Sequence, residues 1–246
     1  MPDALFDDPR LAAIYDAMDA DRSDLDPYLA MVEEFDAHSV LDVGCGTGTF
    51  ACLVAAFDVT VTGVDPAGAS LDVARQKPGA DRVQWLQGDA TILAEHVPAG
   101  SIDLAVMTAN VAQVFLTDDE WNATLTAVHD ALRPDGVLVF ETRDPSRRAW
   151  DQWTKEQTFQ RVDVPGVGVV EDWVEVTGEA LPLVSFESPN HFVATGETLV
   201  SMSTLRFRDR DELDASLDAT GFDVVEVRDA PDRPGREFVY VARRRG

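Results

Sequence analysis

A doubly wound α/β domain with a mostly parallel sheet is the fold this sequence predicts, and three observations predict it. From Ser39 onward, five short apolar runs end in Gly or Asp and are each followed by a helical stretch. That alternation builds a parallel sheet covered by helices on both faces. The first run passes directly into a glycine-rich turn that opens a helix. The last two apolar runs are joined by Asp229 to Arg236, a connection too short for a crossover helix, so the final strand runs antiparallel to its neighbour.

Taken in order, the chain begins with two amphipathic helices. Leu11, Ile14 and Met18 recur at helical spacing, then Leu25, Leu29, Val32 and Phe35, with Pro27 suited to a first turn. Strands follow at Val40 to Val43, Val59 to Val64, Val83 to Leu86, Ile102 to Met107 and Val137 to Phe140. The helix after the fourth strand places Trp121, Leu125, Val128 and Leu132 on one face and Asp118, Asp119 and Glu120 at its positive end, and Pro134-Asp135-Gly136 is expected to terminate it.

Beyond Asp144-Pro145 comes a short helical piece with Trp150 and Trp153. From about Thr158 to Arg208 the texture is strand-only. Pro165-Gly166, Gly178, Pro182, Pro189 and Gly196 separate runs at Val169 to Val176, Leu183 to Phe186 and Leu199 to Phe207, which predicts an inserted antiparallel meander. The α/β pattern resumes with Asp209 and Glu212 at capping-box spacing before Leu213 and Leu217, Gly221 closing that helix, and strands at Phe222 to Val227 and Glu237 to Val241. The expected division is a helical cap over residues 1–36, a core over 37–149 and 209–246, and a β-rich lid over 150–208.

Composition narrows the partners. In 246 residues, 45 acidic side chains against 20 basic ones give a formal charge of −25, a field that repels phosphate backbones and anionic lipid headgroups. Nucleic acid and membrane are therefore not expected as partners. No apolar run approaches the roughly 18 to 20 residues of a membrane span, and Met1 to Arg10 carries three aspartates where a signal peptide would be basic, so a cytoplasmic location is expected. Cys45 and Cys52 read as reduced thiols, and His38, His96, His129 and His191 show no metal-ligand spacing, so no metal is expected.

The strongest local signal is Val40-Leu41-Asp42-Val43-Gly44-Cys45-Gly46-Thr47-Gly48-Thr49-Phe50. Its glycines let the main chain turn sharply and approach a ligand. A dinucleotide loop would need glycine where Thr49 stands, and no lysine follows to make a phosphate loop. The second strand ends at Asp65, 21 residues after Gly44, where a carboxylate accepts from two vicinal ribose hydroxyls. The third ends in Gln87-Gly88-Asp89-Ala90, bringing a carboxylate able to accept from an exocyclic amine such as that of adenine.

Val40 to Phe50, Val64-Asp65, Gly88-Asp89-Ala90 and Leu132-Arg133-Pro134-Asp135-Gly136 resemble, in that order, the motifs of class I S-adenosylmethionine-dependent methyltransferases. The resemblance covers Ala37 to Asp144 and the terminal helix and strands. It implies a seven-stranded, Rossmann-like sheet with its last strand antiparallel, and S-adenosyl-L-methionine as cofactor with S-adenosyl-L-homocysteine as product. It also implies that Asp42 and the turn Gly44, Cys45, Gly46, Thr47 and Gly48 lie along the methionine moiety, that Asp65, next to Pro66, takes the ribose, and that Asp89 with Ala90 takes the adenine.

The family places residues around the methyl group and the acceptor at the end of the fourth strand, here Met107 to Phe115, with Thr108, Asn110 and Gln113. Its DNA amino-methylating members carry Asp/Asn-Pro-Pro-Tyr/Phe there. Asn110-Val111-Ala112-Gln113 departs from that pattern and argues against a nucleobase target. Tyr15, Asn110, Arg143 and His191 are the catalytic candidates. Tyr15-Asp16 in the amino-terminal helices and Glu141, Arg143 and Asp144 at the end of the fifth strand are the candidates at the flanks. Tyr15 lines the pocket or packs in the core; Arg143 pairs with a substrate carboxylate or with Glu141; Trp150, Trp153, Trp173 and His191 roof the cleft or form the insertion's own core. The expected activity is methyl transfer to a nitrogen or oxygen of a small natural-product or sugar-amine-like acceptor, by a monomer or homodimer. The rivals are a non-catalytic adenosyl-ligand binding protein and an NAD-dependent dehydrogenase, which Thr49 disfavours.

Overall fold

In the computed structural model, which describes residues 2–246, three helices precede the first strand: α1 (Ala4–Asp7), α2 (Pro9–Met18) and α3 (Asp26–Glu34). Asp8 caps α2 by accepting from the Arg10 amide at 2.8 Å, and proline occupies the first turn of both α2 and α3. Helix α1 lies outside the expectation because four residues are too few to display a helical period.

The alternation then unfolds as β1 (Ser39–Val43), α4 (Thr49–Val54), β2 (Thr60–Asp65), α5 (Gly68–Ala74), β3 (Val83–Gln87), α6 (Leu93–His96), β4 (Ile102–Met107), α7 (Asp118–Ala131) and β5 (Leu132–Arg143). After α8 (Lys155–Thr158) come β6 (Gln160–Val164), β7 (Gly168–Asp172), β8 (Glu175–Ala180), β9 (Leu183–Phe192) and β10 (Glu197–Arg206). The chain closes with α9 (Arg210–Ala219), β11 (Phe222–Asp229) and β12 (Glu237–Arg244).

The larger sheet has the order β11-β12-β5-β4-β1-β2-β3, with β1 to β5 parallel and β12 antiparallel to both neighbours. Its central strands are buried on both faces, so successive residues there serve opposite cores. Leu41 and Val43 face Trp121, Leu125, Leu213 and Leu217, whereas Val40 faces Tyr28, Val32, Phe50 and Val54. Because β1 lies between β2 and β4, the chain reverses its direction of travel across the sheet there, and the crevice above those strand ends is the place for a ligand.

Helix α7 starts with a capping box in which the Thr117 hydroxyl accepts from the Glu120 amide at 3.2 Å and Glu120 reaches back to the Thr117 amide at 3.0 Å. Thr117→Ala is expected to cost about 1 kcal/mol, read as a lower urea midpoint at unchanged slope. The helix ends at Ala131 and not at the Pro134-Asp135-Gly136 turn. Pro134 restricts Arg133 to extended backbone, so the chain leaves the helix earlier, pairs Leu132 with Ile102, and takes up the turn as an irregularity within β5, where Asp135 has φ 63°.

The second sheet has the order β10-β9-β7-β6, with β8 also on β9, and every pairing is antiparallel. Two expectations need correction. The run Val169 to Val176 breaks at Trp173-Val174 into β7 and β8, and Pro189 lies inside β9 instead of ending it. The reason is the same for both. Strand β9 is paired with β8 as far as Glu187 and with β7 from Asn190, and Pro189 falls in the interval between the two partners. Val164 and Val170 of this sheet pack on Leu11 and Ile14 of α2, and Trp150, Val184 and Phe207 form a smaller cluster with Trp153 against it. Both cysteines are free, and among the described residues no helix is long and apolar enough to cross a membrane.

Candidate active site

The glycine turn after β1 is fixed from both sides. The Gly44 and Cys45 amides donate to the Val64 carbonyl at 2.8 and 3.2 Å, tying the turn to the end of β2. Gly48, at φ 75°, opens α4; a Cβ there would stand 2.5 Å from the Trp85 ring and 2.7 Å from Ala74. Packing within the protein therefore demands that glycine. Gly46, at φ 53°, is different: a Cβ there would meet nothing within 4 Å. The turn thus leaves open space at its tip, as a ligand needs.

Asp65 ends β2 with both carboxylate oxygens engaged, Oδ2 accepting from the Gly46 amide at 2.8 Å and Oδ1 from the Ala67 amide at 2.7 Å. Burial pushes its pKa up while the two amides pull against that shift. Each oxygen keeps a lone pair, so the same group that shapes the turn can still accept from hydroxyls in the crevice. Asp42, in β1 at the foot of the turn, is 1% exposed, and neither of its oxygens accepts a hydrogen bond. Burial first, and the charge of Asp65 second, push its pKa up to about 7, with the Ala51 amide and Arg22 acting in the opposite sense.

Helix α2 is pinned across the turn. Asp16 accepts from the Thr47 hydroxyl at 2.7 Å and the Thr49 hydroxyl at 3.3 Å, and Lys77 reaches both Asp16 and Thr49 at 2.6 Å. Asp16 is among the sequence candidates at the flanks, though nothing ties it to the turn 31 and 33 positions away, and no signal marks Lys77, which lies 28 positions from Thr49.

On the other side of the crevice, Ala109 and Asn110 adopt left-handed backbone at φ 53° and 60°. That strain is held by a buried polar network. The Asn110 amide donates to Glu141 Oε1 at 3.1 Å, the Tyr28 hydroxyl donates to Glu141 Oε2, and Asn110 Nδ2 donates to Glu237 Oε2 at 3.2 Å. With Nδ2 committed, Asn110 Oδ1 is buried and left without a partner. Arg233 pairs with Glu237 Oε1 at 2.8 Å, and Arg143 stands 3.6 Å from the same oxygen, donates to Gln113 Oε1 at 2.8 Å and lies over the Trp153 ring at 5.6 Å. Burial pushes the Glu141 pKa up and pulls that of Arg143 down.

Residues 40–136 match the family described as a methyltransferase domain. The chain is 33% identical over 118 residues to the malonyl-[acyl-carrier protein] O-methyltransferase of Yersinia pestis, covering 46% of this chain and 41% of that protein. A crystal structure of an S-adenosylmethionine-dependent methyltransferase from Clostridium acetobutylicum matches at TM-score 0.75 and 16% identity, over 96% of this chain and 98% of that one. The chain therefore has the fold of S-adenosylmethionine-dependent methyltransferases, and residues 40–136 carry the match to the methyltransferase domain. An amino pentose methyltransferase from Micromonospora echinaspora, solved with S-adenosylmethionine bound, shares the methyltransferase fold at TM-score 0.67 and 23% identity, over 91% and 92% of the two chains. The chain spans about half the length of the curated methyltransferases it matches first, between 41% and 49%.

Within the methyltransferase fold, the residues singled out in the sequence divide. Asp42, Gly44, Cys45, Gly46, Thr47, Gly48 and Asp65 gather at one crevice, with Thr108, Asn110 and Gln113 at the end of the neighbouring β4. Pro66 is exposed beside Asp65. Asp89 is exposed, and its carboxylate accepts from the Thr91 amide at 2.9 Å and from the Thr91 hydroxyl, capping the turn Ala90–Ile92, while Ala90 is buried. Burial pushes the Cys45 thiol well above its usual value, which disfavours the thiolate form a nucleophile needs.

Two catalytic candidates need correction. His191 bonds Thr198 at 2.9 Å and pairs across the sheet with Glu171, on the face of β9 opposite to that of Asn190, so it is turned away from the methyltransferase crevice. Arg143 is engaged by Glu237 and Gln113 and not by Glu141, since Glu237 lies directly across from it in the antiparallel pairing of β12 with β5. Glu237 itself escaped notice. The available sign was its place at the start of a last strand that runs against the fifth.

Proposed function

We propose that this chain transfers the methyl group of S-adenosylmethionine to a nitrogen or oxygen of a small-molecule acceptor. The observation that carries the proposal is the constellation of Gly46, open to the crevice, between Asp65 with spare lone pairs and Asp42 with both oxygens unpaired. A buried carboxylate without a partner is unfavourable until a cation reaches it, and the α-ammonium of a methionine moiety is such a cation. The donor supplies, when bound, a methyl group already activated on a sulfonium.

The chain's own residues do the rest. Asp65 accepts from ribose hydroxyls and Asp42 holds the ammonium. Helix α2, fastened by Asp16 to Thr47, and the sheet of residues 150–208 close the crevice and exclude water, so that alignment lowers the barrier. Asn110 Oδ1, its amide orientation set by Glu237, orients the acceptor. The amino pentose methyltransferase named above supports a small acceptor, and the net charge of −25 speaks against a polyanionic one.

The test is a thermal-shift comparison followed by turnover. S-adenosylhomocysteine is expected to raise Tm and NAD to leave it unchanged, and labelled methyl is then expected to appear on one compound of a small-molecule acceptor panel. Stabilisation by NAD alone rejects the proposal.

A further inference from the structure

A cavity of about 150 Å³ lies between α2 and the inner face of the second sheet. A pocket of roughly that volume, open on one side, has room for a single six-membered ring. Its helix side is apolar, with Leu11, Ile14 and Met18. Its sheet side is a polar row, Gln160, Asp172 and Asn190, which stand directly across from one another on β6, β7 and β9. The same face is otherwise apolar, with Val162, Val170 and Phe192 packed against the helix. Polar groups set into such a face cost stability unless something pairs with them.

Asp172 lacks that pairing. Its Oδ2 accepts from Gln160 at 3.3 Å, but its Oδ1 is buried with no partner, and no arginine or lysine lines the cavity. Glu237 and Asp103, by contrast, are given cations, Arg233 and Arg143 for the first and Arg133 for the second. Leu5, Tyr15 and Asp19 complete the lining, and Asp16, next to Tyr15, is bonded to Thr47 of the glycine turn at 2.7 Å, so the cavity adjoins the donor crevice across one helix. The charge of −25 draws cations toward both.

We propose that this cavity is the acceptor's recognition subsite and that Asp172 there selects a compact ring carrying an ammonium group. The assignment rests on the methyl-transfer reading above. The ammonium is a handle and not the methylated atom, because a protonated nitrogen has no lone pair with which to attack the methyl carbon. Discrimination against a hydroxyl in its place follows from the stronger, charge-assisted hydrogen bond to the carboxylate.

The probes are cyclohexylamine, cyclohexanol and cyclohexanecarboxylate, titrated by NMR into the full chain saturated with S-adenosylhomocysteine. Cyclohexylammonium is expected to bind about tenfold or more tighter than cyclohexanol, with the carboxylate excluded. Asp172→Asn, which keeps an acceptor for Gln160, is expected to abolish that preference while leaving S-adenosylhomocysteine affinity within about twofold. Met18→Trp, which fills the cavity, is expected to remove binding of both the amine and the alcohol. Equal affinity for amine and alcohol, a preference that survives Asp172→Asn, or displacement of S-adenosylhomocysteine by cyclohexylamine overturns the subsite. Failure of the wild-type chain to bind S-adenosylhomocysteine at all overturns the methyl-transfer reading instead.

Discussion

Replacing Asp42 by asparagine is expected to stabilise the ligand-free chain progressively as pH rises from about 4 to about 7, by an amount approaching 4 kcal/mol, roughly, at the upper end. The sign follows from the direction of the shift. Burial raises the carboxyl from 3.8 in the unfolded chain to about 7 in the folded one, so the native state holds the proton more tightly. Between those values the unfolded chain has released a proton that the folded chain retains, and unfolding becomes easier with each step in pH. Below pH 3.8 the full contribution is present; above about 7 it is gone. Asparagine has no proton to release, and the difference between the two chains isolates this site from the other carboxylates. Urea unfolding of both proteins at pH 4, 5, 6, 7 and 8 measures it. A difference that is flat across that series contradicts an unpaired, buried Asp42. The same variant is expected to bind S-adenosylhomocysteine more weakly at pH 8, because the carboxylate that receives the ammonium is lost.

Asp65→Ala carries the second large effect, a loss of S-adenosylhomocysteine affinity of about 1 to 3 kcal/mol, between roughly fivefold and 150-fold in Kd. The upper end is expected here. Beyond the hydroxyl contacts, the substitution strands the Gly46 and Ala67 amides, which now hold the turn in place at 2.8 and 2.7 Å. Asp65→Asn separates the two contributions: its one remaining carbonyl oxygen can serve only one of those amides, and its amide group offers donors where acceptors are required. Isothermal titration of the three proteins is the measurement. Unchanged affinity in the alanine variant removes the ribose assignment.

The two substitutions act in opposite directions on the free protein, and the reason is common to both. Asp65 is satisfied within the fold, so removing it loosens the turn. Asp42 is not, so removing it relieves the fold. A group whose requirements only a ligand meets costs stability when the ligand is away, which is the expected mark of a binding site. Asn110 Oδ1 and Asp172 Oδ1 share that condition, whereas Glu237, with two arginines and Asn110 around it, does not.

Much of the crevice could be read in advance because its signals are local. The run from Val40 to Phe50 contains a strand, a turn and a helix start within eleven residues, and Asp65 ends the very next strand. Parallel neighbours in register bring such ends together without further information; Val43 pairs with Val64. Helix α7 was equally legible in its apolar face and acidic start, yet its end was misplaced, since the choice between helix and strand at Leu132 depended on a partner, Ile102, thirty positions earlier. His191 and Arg143 went astray for the same kind of reason. Which face of β9 points inward, and which carboxylate meets the end of β5, are matters of strand pairing across the chain.

The linear order of residues determined the alternation of strands and helices, the glycine turn, the acidic strand ends and the antiparallel last strand, because periodicity, backbone freedom and connection length act over a few residues at a time. Tertiary structure alone decided that α2 lies over the turn through Asp16, that Glu237 anchors Asn110, and that Gln160, Asp172 and Asn190 share a cavity. Those contacts join segments whose meeting depends on packing of the whole, and a side chain's charge or burial has no value until the surrounding atoms are in place.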